Sequence, residues 1–262
     1  MNTAVSLFVT ALLASTTLAM ASPGTFLVHL VFPRNGTWAP TDNTPILFAL
    51  QNPQLAASLG LTSIRWSLSR KDIANFTIYS NDLKLKDLNS TIGNIYVATD
   101  RTGALAASEG LWIFRWTLRY SNCSGPTDDV TYSYNSSTQG LSFATSISAP
   151  RPLVESVLSD QTCHNSDYLA LNVTAVQDVY PVAYDGQPSC AVLGSSPTNV
   201  VPCAISINPA LISSASAAVS YSACKATAAS CALPSPTSGA LSMAFTNKGL
   251  IWVGLTVLLL LS

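Results

Sequence analysis

The chain has 262 residues, of which 10% are charged, and a formal net charge of −1 at neutral pH. An average soluble protein carries about 25% charged residues. So sparse and balanced a set gives no electrostatic reason to expect nucleic acid or an anionic membrane as partner.

Residues 4–19 (AVSLFVTALLASTTLA) form an apolar run ending in small residues. Val5 to Leu13 has the length of a signal-peptide core, and Ala19-Met20-Ala21 fits the small-x-small cleavage pattern. Residues 1–21 are therefore expected to be removed, leaving Ser22 as the N-terminus. The segment ahead of the core carries no Lys or Arg. A spanning helix is the alternative, but it needs about 20 apolar residues and this run is shorter.

Beyond the leader, short runs favour strands. Ile64–Ser69 alternates apolar and polar residues. In Trp112–Tyr120, Trp112, Phe114, Trp116, Leu118 and Tyr120 share one face, while Arg115, Thr117 and Arg119 share the other. Further candidates are Phe26–Phe32, Ile46–Leu50, Phe76–Tyr79, Ile95–Ala98, Val130–Tyr134, Leu141–Ile147 and Leu169–Val176, punctuated by Pro, Gly, Asn and Asp. This pattern predicts an all-β domain over 22–180, an antiparallel immunoglobulin-like β-sandwich, with two small domains as the alternative. Residues 181–232 are rich in small residues, Pro and Cys, and are expected to form a disulfide-stapled extension packed on the sandwich. Within them Asn208 reads as an N-cap and Pro209 as the first residue of one short helix, with Leu211, Ile212, Ala215, Ala218 and Val219 on one face.

Residues 233–238 read as a short stalk, and 239–262 as a removable glycosylphosphatidylinositol (GPI) signal. Ser238-Gly239-Ala240 supplies small residues, Leu241–Lys248 a spacer and Gly249–Leu261 an apolar tail. Ser238 is the expected attachment residue, with Gly239 as its alternative. A single-pass helix would want a longer run and basic residues beyond it. The two terminal signals together place the mature chain outside the cell, on the outer face of the plasma membrane or transferred to a cell wall.

That address gives meaning to two residue sets. Sequons for N-glycosylation stand at Asn35, Asn75, Asn89, Asn122, Asn135 and Asn172, none with Pro in the middle position. Cys123, Cys163, Cys190, Cys203, Cys224 and Cys231 are even in number, and an oxidising compartment makes disulfides the default. Six cysteines allow about 15 connectivities and the sequence does not choose among them; the expected set is Cys123–Cys163, Cys190–Cys203 and Cys224–Cys231. A zinc site is the alternative, but no C-x-x-C or Cys/His cluster supports it.

Residues for catalysis are scarce. The two histidines are His29, inside a predicted strand, and His164 in a polar loop. Glu109 and Glu155 are the two glutamates, and Asp128-Asp129 would point to opposite faces of a strand, which suits a solvated turn. No nucleophile elbow, phosphate-binding loop, EF-hand loop or dinucleotide fingerprint is present, so no catalytic residue, metal or cofactor is expected.

The stretch Leu30-Val31-Phe32-Pro33-Arg34-Asn35-Gly36-Thr37-Trp38-Ala39-Pro40, with Pro45-Ile46-Leu47-Phe48-Ala49-Leu50-Gln51-Asn52-Pro53, resembles the opening of a family of secreted ascomycete fungal proteins. That family is known as domain of unknown function number 7136. The resemblance implies a fungal surface address and the same layout of leader, one domain and anchor signal; it brings no activity. Three functions are then in view. The first is a structural or adhesive surface glycoprotein. The second is a module binding cell-wall polysaccharide, with Arg34 and Trp38 as candidate platform. The third is a wall-modifying hydrolase, which would need two carboxylates facing across a cleft.

Overall fold

The computed structural model describes residues 22–73, 77–85, 88, 93–125, 130–159, 167–179, 189–197, 200, 207–226 and 231. The two segments expected to be terminal signals, with Ser238, lie outside these residues, as do Asn75, Asn89, Asp128, Asp129, Cys163, His164 and Cys203. Among the described residues no helix is long and apolar enough to cross a membrane.

The protein is mostly β, in two five-stranded sheets. The first has the order β10-β9-β1-β3-β6, built from β1 (Gly24–Phe32), β3 (Thr44–Gln51), β6 (Ile95–Thr102), β9 (Tyr168–Asp178) and β10 (Ser189–Leu193). The second has the order β2-β8-β7-β4-β5, from β2 (Thr37–Trp38), β4 (Ser63–Arg70), β5 (Thr77–Lys84), β7 (Gly110–Ser124) and β8 (Thr131–Thr145). The pairings are antiparallel except the two-residue contact of β2 with β8, which is parallel. The second sheet curves as a half-barrel.

Burial explains why the two sheets read so differently in sequence. β1 (GTFLVHLVF) and β3 (TPILFALQ) are buried along almost their whole length. One face, including Phe26, Val28, Ile46 and Phe48, meets the second sheet in the main core. The other face is covered: Phe32 and Leu47 pack under α1 (Val154–Ser159) and α2 (Pro209–Ala226), and Leu27 and Ala49 join a neighbouring cluster. A strand buried on both sides needs no polar alternation. β4 and β7 alternate instead, sending Ile64, Trp66, Leu68, Trp112, Phe114, Trp116 and Leu118 inward and leaving Arg65, Arg115 and Arg119 exposed. One face of this sheet therefore stays open to water.

Two buried tryptophans satisfy their indole N–H groups inside this frame. Trp66 donates to Asp100 Oδ2 at 2.8 Å and Trp112 to Thr145 Oγ1 at 2.8 Å. α2 is capped as its sequence suggests, since Asn208 Oδ1 accepts from the Leu211 N–H at 2.9 Å. At 18 residues the helix is longer than the short one expected. Ala215 and Val219 are its buried residues, and they hold it on the first sheet.

Three further elements depart from the sequence reading, besides α1, a second helix where one was expected. Val130–Tyr134 and Leu141–Ile147, expected as two strands, form the single strand β8. The polar stretch between them is exposed but pairs residue for residue with β7 from Tyr120↔Asn135 to Arg115↔Gly140. Ile147 falls beyond it and is 73% exposed. The segment past residue 180, read as an extension packed on the sheets, contributes β10 directly to the first sheet. The expected pairings Cys123–Cys163 and Cys190–Cys203 are overturned, because Cys123 is bonded to Cys190, with Cα atoms 6.0 Å apart. The reason is topological. β10 returns alongside β9 and lays Cys190 against the end of β7, so the bond joins the two sheets across 67 residues of sequence. Cys224–Cys231 is bonded as expected, tying the end of α2 to the chain just beyond it.

Candidate functional site

The chain leaves β1 through a cis Phe32–Pro33 peptide and turns at Gly36, whose φ of +139° favours glycine. A Cβ at Gly36 would also meet the indole Nε1 of Trp38 at 3.5 Å. This turn brings Arg34 and Trp38, the two sequence-predicted platform residues, into direct contact. The Trp38 indole donates to the Arg34 carbonyl at 3.2 Å, and the Arg34 guanidinium lies 5.3 Å from the ring centroid. On the core side Trp38 meets Phe32 edge-to-face at 5.2 Å and touches both the main core and the helix-covered one. The half-buried ring closes a seam and carries its own cation, so little of its face is open to a sugar.

A second location was not legible in sequence. β5 and β6 are edge strands of different sheets, and they border a polar recess of about 380 Å³ lined by Tyr79, Asn81, Asp100, Arg101, Gly103 and Ser222. The Tyr79 ring is 42% exposed and rests on buried Trp66 with centroids 5.3 Å apart. Asp100 is committed to structure: Oδ2 accepts from Trp66 and from Asn81 Nδ2 at 2.9 Å, and Oδ1 from the Arg101 N–H at 2.8 Å. Arg101 reaches Asn43 Oδ1 at 2.9 Å. The recess thus combines one exposed aromatic face with amide, hydroxyl and guanidinium groups. Only the meeting of two sheet edges and α2 assembles it, which is why no local motif signals it.

The two glutamates sit apart and are engaged locally. Glu109 accepts from the Ile147 N–H at 2.6 Å and the Ser146 hydroxyl at 3.0 Å. These two donors hold its carboxyl below the ordinary glutamate range, the backbone N–H contributing most. Glu155 accepts from the Ser216 hydroxyl, joining α1 to α2, and that bond likewise lowers its pKa. A depressed folded-state pKa gives stability that is present above the unfolded pKa and lost as pH falls through the folded one. Glu109→Gln is therefore expected to flatten the acid limb of a Tm–pH profile below about pH 4.3. An acid limb identical to that of the parent would show that the Ile147 contact does not persist in solution.

His29 is buried on β1, opposite Ala49 and Tyr168 in the two ladders. Among the described residues no group of three or more His, Cys, Asp or Glu is placed to hold a metal ion. The sequons fall in varied settings. Asn35 and Asn135 are exposed. Asn122 is half-buried beside the Cys123–Cys190 bond, and its Oδ1 accepts from the Leu193 N–H at 2.8 Å. Asn172 is half-buried, and its Nδ2 donates to the Ser195 carbonyl at 3.2 Å.

These features define a β-rich, disulfide-bonded domain with an aromatic-lined polar recess and no assembled pair of catalytic carboxylates among the described residues. The chain belongs to the family described as Domain of unknown function (DUF7136), whose profile matches residues 21–236. No curated protein matches it.

Proposed function

We propose that the chain is an extracellular, GPI-anchored glycoprotein of a fungal cell surface or wall with a structural or adhesive role, its domain an immunoglobulin-like variant of the sandwich. The observation that carries this reading is the Cys123–Cys190 bond. It is buried in a small cluster with Val179 where β7 meets β10, and a buried structural bond of this kind supports an oxidising export route. The exposed sequons at Asn35 and Asn135, the leader and the anchor signal fit the same route. Two enzymes test it. Peptide-N-glycosidase should increase the mobility of the protein on a denaturing gel, and phosphatidylinositol-specific phospholipase C should release it from cells. A protein that neither enzyme alters is not the surface glycoprotein proposed.

A glycan-binding role is the second reading, and the exposed Tyr79 ring over the polar recess favours it more than Trp38 does. Aromatic faces stack on the C–H faces of sugars while amide and guanidinium groups meet the hydroxyls. If this recess binds wall glycan, Tyr79→Ala should cut retention on insoluble wall glucan roughly tenfold, a loss of about 1.4 kcal/mol. Retention unchanged at equal Tm would remove the recess as a binding site.

A further inference from the structure

The outer face of the second sheet concentrates charge in a chain that has little. Arg65 on β4, Lys84 on β5, and Arg115 and Arg119 on β7 are four of the 12 basic residues of the chain, and all four are exposed. Register places them on one side. Arg65 is opposite Asp82 and Thr117, Ser63 is opposite Lys84, and Arg115 is opposite Ser67 and Gly140. All alternate with the inward Ile64, Trp66, Trp116 and Leu118. The one carboxylate among them is Asp82. Arg65 grips it with Nε at 2.9 Å and Nη2 at 3.4 Å, and Lys84 and Arg119 add to that hydrogen bond in holding its carboxyl below the ordinary range. Among the described residues Arg115 and Arg119 form no salt bridge, although Arg119 is near enough to Asp82 to act on its charge. The near-neutral total therefore hides a strongly positive face.

We propose that this face is a docking surface for an acidic polysaccharide, whose carboxylates are engaged by Arg115 and Arg119. Four features select that partner. The Arg65–Asp82 pair shows on the same face the two-pronged grip a guanidinium gives a carboxylate. Arg115 and Arg119, four residues apart on one strand, stand about 13 Å from each other, a spacing that suits a repeating polymer on an open sheet. Between them Thr117 and Thr138 share a hydrogen bond of 2.9 Å, and the neighbouring residues Ser136 and Ser142 add hydroxyls for sugar hydroxyls to meet. The exposed apolar side chains on this side, Leu111 at 51% and Tyr134 at 66%, stand toward opposite ends of the β7–β8 ladder with the two arginines between them, and Ile113 is half-buried, so they form no single apolar patch to insert into a lipid surface or to anchor a protein partner.

Two local details keep the face clear. Gly140 leaves room for the Arg115 stem, since a Cβ there would stand 3.3 Å from Arg115 Cγ and 3.2 Å from the Phe114 carbonyl. The hairpin sequons lie on the opposite side, with Asn135 opposite Tyr120 and Asn122 opposite Ser133 in the register of Trp116 and Leu118. No sequon among the described residues falls on this face.

The inference leans on the proposed extracellular address only for where such a polymer would be met. Binding is measured on the purified full chain from a secretory host, so its failure leaves the glycosidase and phospholipase results to stand or fall separately. The probe is immobilised polygalacturonate beside neutral β-glucan. Retention on polygalacturonate is expected at about 20 mM salt and its loss at about 0.5 M, where charges are screened within a few ångströms. Arg115→Ala with Arg119→Ala should weaken retention roughly tenfold at equal Tm. Lys at both positions should restore most of it, and Arg151→Ala with Lys225→Ala, the same charge change off the face, should leave it intact. The proposal is overturned by no retention, by equal loss in both double variants, or by capture only on phosphatidylserine-containing vesicles.

Discussion

Replacing Cys123 and Cys190 together by alanine is expected to lower the unfolding free energy by about 4 kcal/mol, which follows from the entropy of closing a loop this long. The bond spans 67 residues and is buried with Val179 beside it, so the variant loses both the cross-link and some packing. It is also a covalent tie between the two sheets, joining β7 to β10. The measurement is chemical denaturation of parent and variant under oxidising conditions. A loss below about 1 kcal/mol would mean that the unfolded chain is already compact enough for the bond to constrain little. The shorter Cys224–Cys231 bridge closes only seven residues at the end of α2 and should matter far less to the sheets.

Trp66→Ala should cost a comparable amount, roughly 3–5 kcal/mol, from lost burial and the cavity left behind. Trp66 is fully buried, stacks on Phe114 at 5.7 Å and supports the Tyr79 ring. Its removal also takes from Asp100 the indole donor at 2.8 Å that fixes the carboxylate between the sheets. Trp66→Phe keeps most of the packing but not the donor, and should fall between parent and alanine. The same denaturation experiment reads both. If phenylalanine matched the parent, the Asp100 contact would contribute nothing and the stability would rest on packing alone.

How much of this structure was legible depended on whether its cause was local. Strands β4 and β7 follow from period-two alternation, because one face is buried and the other is not. β1 and β3 were found as apolar runs, although periodicity cannot reveal that both of their faces are covered; that needed the placement of α1 and α2. The cap at Asn208-Pro209 is a local signal and located the start of α2. β8 was misread as two strands because its polar middle looks like a turn, yet that stretch is held by fifteen residues of continuous pairing with β7. The Cys123–Cys190 pairing was illegible for the opposite reason: it depends on β10, a short strand whose position is fixed only by the sheet it joins.

The candidate sites divide in the same way. Arg34 and Trp38, four residues apart, do meet, but the indole's seat against Phe32 is a tertiary fact. The recess at Tyr79 comes from three elements remote in sequence. The positive face was half visible, since Arg115 and Arg119 share one side of β7 by alternation alone. Only the register of β4 and β5 adds Arg65 and Lys84 to it.

The most direct test of an exported, surface-tethered domain is mass mapping of both termini of the mature protein purified from cell membranes. The expected result is an N-terminus at Ser22 and a C-terminal peptide ending at Ser238 that carries a glycolipid remnant. A mature protein that begins at Met1, or that retains peptides from residues 249–262, would contradict it.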